Sequence, residues 1–184
     1  MRVVGGSFRG RRLASPHSDA IRPTTDRARE ALFNILEHSY PGTIDGARVL
    51  DLFAGSGALG VEALSRGAAY CLFIEEAAGA RALIRENVEN LDLQGCTRIF
   101  RRDATRLGPI GTMQPFDLVF ADPPYGRGLG ERAIASALAG GWLAPGALIV
   151  VEETSATSFE APEGIVVHER RTYSSSTLAL CGLA

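Results

Sequence analysis

The chain has 184 residues, a net charge of −2 and 46% apolar residues, enough for one sizeable core with an appendage. The composition is that of an ordinary soluble globular protein, no apolar run reaches the length of a membrane span, and the start, Met1 to Gly6, lacks the apolar segment of a secretory signal. Three scattered cysteines, Cys71, Cys96 and Cys181, argue against a disulfide framework and against a zinc site; they fit a reducing cytoplasm, with Cys71 and Cys181 expected in the core.

The charge is unevenly placed. Residues 1–29 hold seven arginines, Arg2, Arg9, Arg11, Arg12, Arg22, Arg27 and Arg29, against Asp19 and Asp26, for +5, and the remaining 155 residues carry −7. A basic arm on an acidic body points to a phosphate-bearing partner. A solvated basic surface is the plainer alternative.

Residues 1–14 read as a short β hairpin or ribbon whose register the sequence does not fix. After a loop with Pro16 and Pro23, Thr24 or Thr25 caps a helix that runs to about Ser39. Its apolar stripe is Ala28, Ala31, Leu32, Ile35 and Leu36. Arg27 and Arg29 fall in its first turns, on or beside the polar face, where positive charge opposes the helix dipole.

From Ala47 the pattern alternates. Strands are expected at Arg48–Phe53, Tyr70–Glu75, Arg98–Arg102, Asp117–Ala121 and Ala147–Glu152, and helices at Ala58–Arg66, Ala77–Leu91 and Leu129–Leu138. Two late strands, Ile165–Arg171 and Thr177–Cys181, are linked so briefly that they must run antiparallel. The fold class that follows is α/β: an open, mostly parallel, Rossmann-like sheet of about seven strands with a C-terminal antiparallel hairpin, preceded by a small basic N-terminal β/α extension.

Such sheets bind ligands at the carboxyl ends of their strands. The first strand leads into Asp51-Leu52-Phe53-Ala54-Gly55-Ser56-Gly57-Ala58-Leu59-Gly60, where Gly55 and Gly57 allow a sharp turn and close approach to a ligand. Glu75 ends the second strand, where a carboxylate reaches ribose hydroxyls. Asp103, followed by Ala104, stands after the third and could accept from an adenine amino group. A nicotinamide dinucleotide would use a similar glycine pattern. Asp51 is poorly placed beside a pyrophosphate, however, and well placed for a ligand ammonium, and there is no second mononucleotide half. S-adenosylmethionine, with an ammonium, a ribose and an adenine but no phosphate, fits better. Turn capping by Asp51 and exposed strand ends at Glu75 and Asp103 are the plain alternatives.

The fourth strand ends in Asp122-Pro123-Pro124-Tyr125. The prolines stop the strand, and the residue before a proline is held extended. An acid, the Pro123 carbonyl and an aromatic ring are thus presented together, a place for a flat, amino-bearing group. A loop in which Asp122 caps the next helix and Tyr125 packs is the alternative. No His/Cys/Asp cluster suggests a metal. Arg98, Arg101, Arg102 and Arg106 form a second basic cluster that a solvated strand edge explains as well as RNA contact does.

Two stretches, Arg22-Pro23-Thr24-Thr25-Asp26-Arg27-Ala28-Arg29-Glu30-Ala31-Leu32-Phe33-Asn34 and Val49 to Gly60 with Glu62-Ala63-Leu64-Ser65-Arg66-Gly67 after it, resemble the signatures of the bacterial 16S ribosomal RNA guanine-(N2)-methyltransferase D family. Asp122 to Tyr125 completes the set in order; alone it is shared with many amino-methylating enzymes. Near the end, family members resemble Tyr-Gly-x-Thr, where this chain has Tyr173-Ser174-Ser175-Ser176-Thr177. That departure bears on the hairpin and not on the expected chemistry.

The resemblance implies a class I methyltransferase that uses S-adenosylmethionine and acts on the 2-amino group of a guanine in small-subunit RNA, in an assembled or assembling 30S particle. It implies an extension at 1–45 and a methyltransferase domain at 46–184, in a cytoplasmic monomer with no membrane or metal partner. Asp122, Pro123 and Tyr125 would be catalytic, and Asp51, Phe53, Gly55, Gly57, Glu75, Asp103 and Ala104 would hold the cofactor. Arg9, Arg11, Arg12, Arg22, Arg27 and Arg29 would grip RNA phosphates, which position a nucleic acid without reading its sequence. Rival readings are a DNA adenine amino-methyltransferase, which normally carries an added target-recognition region; a protein-glutamine methyltransferase, which typically has Asn in place of Asp122; and a non-catalytic RNA-binding assembly factor.

Overall fold

The computed structural model describes residues 1–16, 25–173 and 175–184. After an N-terminal arm the elements run α1 (Asp26–Ser39), β1 (Arg48–Leu52), α2 (Ala58–Ser65), β2 (Tyr70–Ile74), α3 (Ala78–Asn90), β3 (Thr97–Phe100), β4 (Phe116–Ala121), α4 (Leu129–Ala139), β5 (Leu143–Thr154), β6 (Ile165–Tyr173) and β7 (Ser176–Leu183). They form one seven-stranded sheet in the order β3-β2-β1-β4-β5-β7-β6. The first five strands of that order are parallel, and β7 runs antiparallel to both β5 and β6. The expected architecture holds. β5 starts earlier than its apolar run suggests, because Phe116 pairs with Leu143 before a register shift brings Leu118 opposite Leu148. Pro145 and Gly146, which look like breakers, sit within that irregularity.

Alternate strand residues feed two cores. Val49, Phe73, Phe120 and Val150 face α1, α2 and α3 through Leu32, Phe33, Val61, Ile84 and Val88. Leu50, Ile74, Val119 and Val151 face α4 through Ala133, Ile134 and Ala137, with Trp142 beneath. Gly60 is needed for this packing, since a Cβ there would lie 2.5 Å from both Cys71 Sγ and Phe73 Cε1. Cys71 and Cys181 are fully buried, and burial pushes the Cys181 thiol up to about 11.

The arm is a tight hairpin with one antiparallel bridge, Arg2 to Arg12. Val3 N–H donates to Arg11 O at 2.9 Å and Gly10 N–H to Val3 O at 2.8 Å. Val3 and Leu13 enter the α1–α3 core, so the arm shares the hydrophobic interior of the sheet. Glu62 of α2 accepts from Val4 N–H at 3.0 Å and Gly5 N–H at 2.8 Å. A Cβ at Gly6 would fall 1.9 Å from Ser65 O.

Thr25 caps α1, its hydroxyl accepting from Ala28 N–H at 3.1 Å. Thr24 lies outside the described residues. Two details of α1 depart from expectation. Ala28 is exposed, and the stripe is Arg29, Leu32, Phe33, Ile35 and Leu36. Arg29 is fully buried and sits 3.5 Å from the equally buried Glu62, with Asp26 Oδ1 at 2.9 Å. A cation enters an apolar stripe because two carboxylates meet it there.

Candidate active site

Three residues bend the chain sharply after β1. Phe53, Gly55 and Gly57 take φ of 57°, 58° and 80°. A non-glycine residue in this region is strained, and such strain collects at functional sites. A Cβ at Gly55 would meet nothing within 4 Å, so the loop crest is open to a ligand. Asp51 lies underneath with 1% exposure, its Oδ2 accepting from Gly60 N–H at 3.0 Å. This corrects the expected direct grip on a ligand ammonium: Asp51 is buried beneath the loop and bonded to it. Burial pushes its carboxyl well up; the Gly60 N–H opposes this, and the charges of Asp122 and Glu75 add to it.

Glu75 follows β2 and clasps the loop. Oε2 accepts from Gly55 N–H at 2.9 Å and Oε1 from Ala77 N–H at 2.8 Å. Each oxygen keeps a lone pair for a further donor. Asp103 follows β3 and accepts from Thr105 Oγ1 at 2.7 Å and Thr105 N–H at 2.8 Å; these bonds hold its carboxyl below the usual carboxylate range. Ala104 is 4% exposed, its methyl in the α4-side core, so only its backbone could serve a ligand. Phe53 is half-buried against the same core. An open glycine crest ringed by carboxylates fits a cationic ligand with sugar hydroxyls and disfavours a pyrophosphate.

Asp122 is half-buried, Pro123 buried, and Pro124 and Tyr125 exposed. The N-cap of α4 is Gly128, so Asp122 is not the helix cap. The loop is tied to β5 and β7. Gly126 N–H donates to Glu153 Oε1 at 3.2 Å, and Glu153 is 2% exposed. The Tyr125 hydroxyl donates to Glu152 Oε1 at 3.3 Å and lies 3.4 Å from Ser176 Oγ. Burial pushes that hydroxyl up, so it stays a donor at neutral pH. The ring is thus held by its tip while the residue stays exposed. Ser176 belongs to the hairpin that departs from the family pattern, and it brings that hairpin against Tyr125.

Arg9, Arg11, Arg12 and Arg27 are exposed; Arg11 Nη2 donates to Asn90 O at 2.8 Å. Arg22 lies outside the described residues. Arg29 is a correction: with 0% exposure and carboxylates beside it, it anchors α1 and the arm and does not face a partner. Of the second basic cluster, Arg102 lies over the rings of Phe100 and Trp142 and donates to Leu107 O, which accounts for it structurally, while Arg98, Arg101 and Arg106 remain exposed.

Several residues of the site's surroundings carry no clear signal in the sequence. Asn87 of α3 is fully buried and joins arm to loop, accepting from Ala14 N–H at 2.6 Å and donating to Ala14 O at 3.1 Å and Ser56 O at 2.9 Å. The one trace of Glu62 is that it is the single charge in the apolar run Ala58 to Ser65. Glu152 and Glu153 end an apolar strand just as Asp122 does. A cavity of about 460 Å³ opens at the other edge of the sheet, lined by Tyr40, Asp45, Asp117 and His168 among others. Strand topology places the ligand end at the opposite edge, where the four acids lie. No helix among the described residues is long and apolar enough to cross a membrane.

Residues 1–182 match the model of a family described as "Conserved hypothetical protein 95". The chain is 47% identical over 155 residues to "Ribosomal RNA small subunit methyltransferase D" of Escherichia coli strain K12, covering 83% of this chain and 74% of that one. It is 35% identical over 174 residues to the protein of that name in Haemophilus influenzae, covering 94% and 88%. Among solved structures, "Putative methyltransferase yhhF from Escherichia coli" superposes with a TM-score of 0.82 at 38% identity, over 98% of this chain and 96% of that one.

Proposed function

The chain belongs to the ribosomal RNA small subunit methyltransferase D family, and on that premise we propose that it methylates the 2-amino group of one guanine in 16S ribosomal RNA, in an assembled or assembling small subunit. Methylation of small-subunit ribosomal RNA follows from the relatives. An amino group as the acceptor is supported by one observation: Asp122, the Pro123 carbonyl and the tethered Tyr125 ring stand together at the end of β4; guanine as its bearer is what the family resemblance implies.

S-adenosylmethionine, when bound, supplies the methyl group on an electrophilic sulfonium. Glu75 and Asp103 are the carboxylates that would hold its ribose and adenine, with Gly55 and Gly57 giving backbone access and Asp51 contributing negative charge from below. The residues present fit it, because the open glycine crest is accompanied by the carboxylates of Glu75 and Asp103, which can accept from hydroxyl and amino groups.

A guanine amino group is a poor nucleophile, since its lone pair is delocalised into the ring. Asp122 and the Pro123 carbonyl each accept one of its hydrogens. This favours tetrahedral nitrogen and aims the lone pair; holding the nitrogen in attack geometry supplies much of the rate. The extra proton leaves to Asp122 or solvent. Carboxylates are weak bases at neutral pH, so orientation and stabilisation of positive charge on nitrogen come first. The base must leave its stack to reach this place. Tyr125 receives it face to face, a contact worth about 1–3 kcal/mol in comparable sites. The hydroxyl tether to Glu152 fixes the ring before the base arrives.

The test is Asp122→Ala, assayed for methyl transfer to small subunits and, by calorimetry, for S-adenosylmethionine binding. Transfer is expected to fall at least ~100-fold, the scale of removing a positioning or acid–base group, with cofactor affinity nearly unchanged. Normal turnover would remove Asp122 from the mechanism.

A further inference from the structure

Glu152 stands beside the reacting end of β4. The register pairs Phe120 with Val150 and Ala121 with Val151, so the next residues of the two strands, Asp122 and Glu152, are neighbours. Phe120, Val150 and Leu178, the partner of Glu152 on β7, belong to the same core; by alternation Glu152 continues the face that carries the site. Glu152 is half-buried. Its Oε1 accepts from the Tyr125 hydroxyl at 3.3 Å, and among the described residues its Oε2 takes no hydrogen bond. A carboxylate is therefore tied to the aromatic ring with one oxygen left over.

We infer that Glu152 is a specificity-determining residue that contacts the target base and accepts the N1–H of guanine. The inference rests on the guanine N2 reading above. Guanine presents N1–H and the 2-amino group side by side on one edge, as adjacent donors. Two neighbouring carboxylates accept from such a row and have nothing to give to an acceptor. Adenine presents N1 as an acceptor next to its 6-amino group. Its ring nitrogen would face the Glu152 oxygen lone pair to lone pair and strip that carboxylate of water without replacing the hydrogen bond. A site built around a donor rejects the analogue that lacks it far more strongly than an apolar pocket rejects a change of size. Tyr125 then has two tasks: its ring receives the base, and its hydroxyl sets the carboxylate that reads the base's edge. Ser176, 3.4 Å from the same hydroxyl, brings the C-terminal hairpin into that setting.

The experiment uses small subunits reconstituted with 16S RNA that carries either guanine or 2-aminopurine at the position the wild-type enzyme methylates. 2-Aminopurine keeps the 2-amino group and replaces N1–H by an acceptor. The wild-type enzyme is expected to favour guanine in kcat/KM by about 100-fold, at the upper end of the discrimination a base-edge contact provides. Glu152→Gln, whose amide can donate to N1, is expected to lower that ratio at least tenfold, losing rate on guanine and gaining it on 2-aminopurine. A merely structural role for Glu152 would slow both substrates alike. An unchanged ratio, with N2-methylguanine confirmed as the wild-type product, overturns the inference alone. A wild-type product other than N2-methylguanine overturns the functional reading and the inference with it.

Discussion

Asp51 is a carboxylate with 1% exposure under the glycine loop, and its burial sets function against stability. Its folded-state pKa is raised above the ordinary value, by burial first and then by the charges of Asp122 and Glu75 against the Gly60 N–H. The native state therefore holds its proton to higher pH than the unfolded chain does. Stability from this group falls as pH climbs from the ordinary carboxylate value through the raised one. Asp51→Asn keeps an oxygen for the Gly60 N–H and removes the charge. The variant is expected to be no less stable than the wild type at neutral pH and to have a urea midpoint that changes less as pH rises above the ordinary carboxylate value, while binding S-adenosylmethionine more weakly. A variant destabilised at neutral pH with unchanged cofactor affinity would contradict this role. Glu75 and Asp122 were legible in the sequence because each directly follows an apolar run, Asp51 because it interrupts one, and Asp103 because it stands just past the third strand. What was not legible is which of them face a ligand. Asp51 and Glu75 look alike as letters, and only the packing of α2 over β1 buries one and leaves the other half-open.

Among the elements, α1, α2 and the arm are joined through Glu62. It accepts from Val4 and Gly5 N–H and from Arg66 Nε at 2.9 Å, and faces Arg29. Breaking a buried charge pair leaves an uncompensated ion, typically a loss of about 3–5 kcal/mol. Glu62→Gln is accordingly expected to lower the unfolding free energy by several kcal/mol; replacing both members together, Glu62→Met with Arg29→Leu, recovers part of it. Equilibrium denaturation of the wild type and both variants measures this. If Glu62→Gln is neutral, the pair does not hold the arm. Strands and helices were readable because their apolar periods are strong and their ends carry Gly or Pro. The place of the arm was not, because it depends on backbone groups of Val4, Gly5 and Ala14 meeting Glu62 and Asn87, and a backbone donor leaves no mark in a sequence. The burial of Arg29 was hidden for the same reason: its partner is brought to it by helix packing.

At the scale of the whole molecule, the carboxyl edge of the sheet carries acids and the arm packed on α2 and α3 carries cations. α1 returns the chain to the amino edge at Tyr40 to Asp45, and at 1.5 Å per residue its 14 residues span about 21 Å, so Thr25 and Arg27 lie toward the carboxyl edge. The start of α1 thus lies toward the edge that carries Asp122 and Tyr125, while the arm packs along α2 and α3 through Glu62, Ser65 and Asn90. Arg9, Arg11 and Arg12 are exposed, and replacing all three with Ala is expected to weaken subunit binding and to reduce the salt slope of log affinity by about 0.7–0.9 for each phosphate no longer neutralised. An unchanged slope would take the arm off the RNA. Asn87, bonded to Ala14 on one side and Ser56 on the other, gives arm and cofactor loop a common support. The central claim is that this edge methylates N2 of a guanine in small-subunit RNA. Tritiated S-adenosylmethionine, offered with small subunits, free 16S RNA and DNA in parallel and followed by digestion of the labelled product to nucleosides, tests it most directly. Label is expected in N2-methylguanosine, from small subunits above all and none from DNA; label in methyladenine, or in DNA, would contradict the claim.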